Sequence, residues 1–151
     1  MTSALATLLA HTERQRDAAQ AAVSASEQHA VRLADQGTQL TDYRAHCRRS
    51  GPTQPGRVTG IDALRAHQGL LERIEQALAQ HARQVAASEA EIATRRQALL
   101  TLELRVASVR QLLARRDAIT RQAQARRDQR QADDAVYGRT HAALAEPPVP
   151  A

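Results

Sequence analysis

Apolar positions in this chain recur every seven residues. Stepping by seven from Leu64 gives Leu64, Leu71, Leu78, Val85, Ile92, Leu99, Val106 and Leu113, an unbroken aliphatic row at what we label position a. The interleaved d row, His67, Ile74, His81, Ser88, Arg95, Leu102 and Val109, is mixed. An aliphatic row sustained over so many heptads predicts a helix that lays a narrow seam against a partner helix. Between Ile61 and Tyr137 there is no proline, and Gly69 is the only glycine. The pattern therefore predicts one helix over residues 61–137, about 115 Å long at the α-helical rise.

A weaker heptad seam runs through residues 3–49, with Ser3 as the expected N-cap. It comprises Leu5, Leu9, Thr12, Arg16, Ala19, Val23, Ser26, Ala30, Leu33, Gly37, Leu40, Arg44 and Cys47. Its middle is built of small residues, and Gly37 costs about 1 kcal/mol relative to alanine in a helix. This first helix is thus expected to depend on the second. Residues 50–60 carry Pro52, Pro55, Gly51, Gly56 and Gly60, which end a helix, and Thr59 with Asp62 three residues on can cap the next.

Two seamed helices joined by one short turn fold back antiparallel. The predicted fold is all-α: an antiparallel two-helix coiled-coil hairpin over residues 1–139, with the second helix the longer. A turn centred near residue 55 makes partner numbers sum to about 110, which sets Leu5 near Val106 and leaves residues from about 108 to 137 overhanging. Residues 140–151 end in Glu146-Pro147-Pro148-Val149-Pro150-Ala151 and are expected to be a disordered, proline-rich tail.

Composition supports a rod rather than a globule. The chain is 42% hydrophobic but has no Phe, no Trp and two Tyr, Tyr43 and Tyr137. Few large side chains leave little area to bury at roughly 25 cal/mol per Å². All 21 basic residues are arginine, and the net charge is +5. Residues 105–139 hold nine arginines against four acids, a net +5, and the predicted overhang lies within this basic stretch. No apolar run approaches a bilayer span, and Met1–Ala10 lacks a basic leader, so no signal peptide is expected.

Catalytic chemistry finds no footing. The six histidines include no pair at i, i+4, and His67 and His81 stand about 21 Å apart along a helix, too far to share an ion. Cys47, the only cysteine, is beside His46, but adjacent helical residues diverge and do not make a nucleophile and base. Gly51, Gly56 and Gly60 lack the strand and lysine of a phosphate loop. No catalytic, cofactor or metal site is expected, and the protein reads as no enzyme. The basic overhang raises nucleic-acid binding as one alternative. The absence of interleaved aromatics, and the acids at 117, 128, 133 and 134, favour an acidic protein surface instead.

Three stretches carry a resemblance to a known family. They are Leu40-Thr41-Asp42-Tyr43-Arg44, residues 64–81 from Leu64 to His81, and Arg127-Asp128-Gln129-Arg130-Gln131-Ala132-Asp133-Asp134. Together with length and layout they resemble the FliJ family, small coiled-coil components of the bacterial flagellar type III export apparatus. The resemblance implies docking to the export-gate protein FlhA through Leu70, Ile74, Ala77 and His81, which lie on one helical face at i, i+4, i+7 and i+11. This chain has Leu70 where the family usually has Phe, and His67 where it usually has Tyr; packing against the first helix is the competing role for the stripe. The resemblance also implies insertion of the rod's ends into the ring of the export ATPase FliI. Arg115, Arg116, Arg121, Arg126, Arg127 and Arg130 of the overhang are the residues assigned to that contact. It further implies binding of flagellar export chaperones and a cytoplasmic location, peripheral at the inner membrane through protein partners. The stalk of a virulence type III secretion system has a similar architecture and is the nearest rival.

Overall fold

The computed structural model describes residues 2–52 and 60–144, and both elements are helices: α1, Thr2–Arg49, and α2, Ile61–Leu144. They pack against each other as a helical hairpin. Helix α1 closes with Ser50 N–H donating to the His46 carbonyl at 2.9 Å, and His46, Arg48 and Arg49 in its last turn complement the negative end of the helix dipole. Helix α2 opens at Gly60, whose carbonyl accepts from the backbone N–H of Ala63 at 3.1 Å and Leu64 at 3.2 Å. Thr59, the expected cap, lies outside the described residues. Helix α2 runs through Gly138 to Leu144, past the expected end at Tyr137. Of the expected tail, residues 140–144 are therefore helical and 145–151 lie outside the described residues.

The chain divides into two compact units, Thr12–Leu104 and a terminal unit of Met1–His11 with Arg105–Ala151. In the central unit the predicted seam residues of both helices are all buried or half-buried. The d row of α2 lies as deep as the a row. Ile74 and Ser88 are buried, whereas Leu64, Leu71, Leu78, Val85, Ile92 and Leu99 are half-buried.

Two of the polar d residues, His81 and Arg95, reach the main chain of α1. His81 Nε2 lies 2.7 Å from the Leu33 carbonyl oxygen. A carbonyl only accepts, so Nε2 carries the proton and donates. The ring fits where Gly37 has no side chain; a Cβ there would stand 2.7 Å from His81 Cε1. His67 packs against Gly51 in the same way, with a Cβ at Gly51 falling 2.8 Å from Nε2. Arg95 donates from Nη1 to the Ala22 carbonyl at 3.1 Å. Small residues in the α1 seam, which bury little area, thus open α1 backbone to long polar side chains of α2.

These contacts also correct the expected register. Gly51 meets His67 and Gly37 meets His81, so partner numbers sum to about 118 rather than about 110. The side chains that fit each other across the seam decide the alignment, and the midpoint of the connection does not. Ion pairs flank this register: Glu75 accepts from Arg48 at 2.9 Å and Arg44 at 3.3 Å, and Arg96 pairs with Glu27.

In the terminal unit, Leu5 and Leu9 are half-buried, Val106 and Val109 buried, and Leu113 half-buried. From Ala114 to His141 every residue is exposed. The seam pattern fails at the same place: the next a and d positions are Arg116, Thr120, Ala123, Arg127 and Arg130.

Candidate functional site

Two surfaces hold the residues that the sequence singles out. The first lies on the central unit. Of the stripe Leu70, Ile74, Ala77 and His81, the structure exposes only part. Ile74 is 5% exposed inside the hairpin, and His81 is half-buried with its ring on Gly37 and Leu33. Ala77 is half-buried, and Leu70, at 36%, is the one large apolar member open to solvent. The heptad explains the division: Ile74 and His81 are d residues that point inward, while Leu70 and Ala77 occupy the flanking g position.

Ala77 and His81 do border open space. They line a shallow groove of about 550 Å³ with Leu40 and Tyr43 of α1, walled by Gln36 and Gln84 among others. None of its lining residues is charged, in a chain with 25% charged residues. The groove joins two stretches that sequence reasoning kept separate, the Leu40–Arg44 segment and the 64–81 segment. Cross-helix proximity is not visible in either stretch alone, so the α1 contribution was missed. Tyr43 is half exposed, and its hydrogen bond to the Cys47 thiol, that thiol's charge when ionised, and slight burial all hold its hydroxyl above the usual tyrosine range.

The second surface is the exposed end of α2 in the terminal unit. Arg115, Arg116, Arg121, Arg126, Arg127 and Arg130 are all exposed. At 3.6 residues per turn they do not spread evenly: Arg115, Arg116, Arg126, Arg127 and Arg130 fall within about 60° of one line along the helix, and Arg121 falls on the opposite side with Arg139, Asp117 and Asp128. Asp133 and Asp134 fall within the same face near its far end, at the angular positions of Arg115 and Arg116. Leu112, Ile119 and Tyr137 occupy the same face as the five arginines and are 55%, 59% and 74% exposed. Sequence reasoning counted the arginines and missed these three; the helical period would have grouped them.

Among the described residues no group of three or more His, Cys, Asp or Glu side chains is placed to hold a metal ion. Among them, too, no helix is long and apolar enough to cross a membrane. The surfaces present grooves, amides, arginines and apolar side chains, which is the chemistry of association. Residues 1–142 match the family described as Flagellar FliJ protein. No curated protein and no solved structure matches the chain.

Proposed function

Because the chain belongs to the flagellar FliJ family, and so to the components of the flagellar export apparatus, we propose that it serves there as a non-catalytic stalk. In this reading it couples the export ATPase FliI to the export gate protein FlhA, binds export chaperones, and works at the cytoplasmic face of the inner membrane. The observation that carries the reading is the exposed end of α2, residues 114–141, where seven arginines stand against four acids on a helix that no other described element covers. A long-lived bare helix of this length gains order from a partner. Arginines on it would steer and align an acidic one.

The gate contact is assigned to the uncharged groove of the central unit and to Leu70 beside it. Leu70 and Ala77 offer apolar area from α2, and Leu40 and Tyr43 add it from α1. Ile74 and His81 support the surface from beneath, holding the two helices in the register that forms the groove.

Stimulation of the ATPase tests the stalk reading. Reversing Arg126, Arg127 and Arg130 to glutamate is expected to abolish stimulation while leaving helix content intact; unchanged stimulation would remove the ring contact. A pull-down with the gate protein tests the other surface, where Leu70→Ser should weaken capture without loosening the hairpin.

A further inference from the structure

We propose that the arginine face of the exposed α2 segment docks directly on an anionic phospholipid surface. This goes beyond the protein contacts proposed above and does not rest on them.

The face pairs two chemistries along one line. Among the described residues, no carboxylate stands within ion-pairing distance of Arg115, Arg126, Arg127 or Arg130. Between and beyond them Leu112, Ile119 and Tyr137 point the same way and are each more than half exposed. Positive charge alone would suit a nucleic acid. A phosphodiester backbone neutralises arginines but leaves aliphatic side chains in water. The boundary between headgroups and acyl chains accepts both: guanidinium groups meet lipid phosphates while aliphatic side chains and arginine stems enter the apolar edge, with tyrosine at the level of the headgroups. From Arg115 to Tyr137 the line is about 33 Å long, a straight row that matches a plane. The face stays net positive, with five arginines to the two acids Asp133 and Asp134 at its far end, and the opposite side, with Asp117, Asp128 and small alanines, is suited to water. Because no described helix is apolar enough to cross the bilayer, the contact is interfacial and reversible.

Co-sedimentation of the full chain with vesicles tests this. Vesicles of phosphatidylcholine containing phosphatidylglycerol should retain the protein, and vesicles of phosphatidylcholine alone should not. An arginine near an anionic surface is worth about fivefold in partition, so Arg126→Glu with Arg130→Glu should cost at least about 25-fold. Arg121→Glu with Arg139→Glu changes net charge equally on the opposite side and should cost far less. Ile119→Ser should weaken retention severalfold with charge unchanged. All these residues are exposed, so circular dichroism should show intact helices. Four results would each overturn the proposal: equal retention by the two vesicle types, equal losses in the two double variants, no effect of Ile119→Ser, and tighter retention on duplex DNA than on vesicles at the same salt.

Discussion

Replacing Gly37 with alanine is expected to change sign according to what occupies position 81. Two effects oppose each other. Alanine in a helix interior is favoured over glycine by about 1 kcal/mol. In the native hairpin, however, the new Cβ would stand 2.7 Å from His81 Cε1 and 3.3 Å from Nδ1, so the ring must leave its place. Leaving breaks the 2.7 Å hydrogen bond to the Leu33 carbonyl, a loss of about 1 kcal/mol. It also strips a half-buried ring of its packing, which we set at about another 1 kcal/mol. The expected net is destabilisation by about 1 kcal/mol in the native background. With His81→Ala already present there is nothing to displace, and Gly37→Ala should stabilise by about 1 kcal/mol. The coupling between the two positions is then about 2 kcal/mol, well above the additivity error of independent sites. Urea denaturation of the four proteins of the cycle, followed by helical circular dichroism, measures it. If Gly37→Ala stabilises both backgrounds equally, the histidine does not key into the glycine gap and the reasoning fails.

Three further outcomes follow from the same geometry. Ile74→Ala, removing a side chain buried in the seam, should cost about 2–4 kcal/mol in chemical denaturation, whereas Leu70→Ala on the exposed flank should cost under about 0.5 kcal/mol; similar costs would contradict the placement of the stripe. Glu75→Gln removes the negative charge shared by Arg44 and Arg48, but the three side chains are 31–58% exposed, so the loss should stay below about 1 kcal/mol and shrink in high salt. Tyr43 should ionise above the ordinary tyrosine value in an ultraviolet titration. Its folded-state pKa is raised, so the stability linked to its protonated hydroxyl is present below the unfolded-state pKa and lost as pH rises through the folded one. Cys47→Ala should bring the titration back toward the ordinary value, and no change on that substitution would remove the thiol as the cause.

The seams of both helices were legible because a heptad row needs no long-range knowledge: spacing alone placed Val23, Leu33, Ile74 and Val106 inside. Register was not legible in the same way. Counting from a turn centred near residue 55 set the helices about eight residues out of step on α2, because glycine–histidine fits fix alignment and no local rule couples Gly37 to His81. The mixed d row looked like a weakness in the pattern. It proves to hold residues that reach the α1 main chain, a partner that side-chain periodicity does not reveal. At the candidate surfaces, the arginine excess was visible in composition. The one-sidedness of those arginines, and the groove shared by Tyr43 and Ala77, needed three-dimensional placement.

Hydrogen bonds from His81 and Arg95 to carbonyls of α1 carry a consequence for how the chain can diverge. Every residue type offers the same carbonyl, so the outward residues of α1 can be rewritten without erasing the alignment signal, provided its buried seam is kept and positions 37 and 51 remain glycine. The instructions for pairing are held unequally: the long polar side chains that reach across come from α2, and α1 meets them with glycine gaps and main-chain carbonyls. A designer could exchange the outward residues of α1 wholesale and expect the same hairpin, while a single swap of histidine positions on α2 would misalign it.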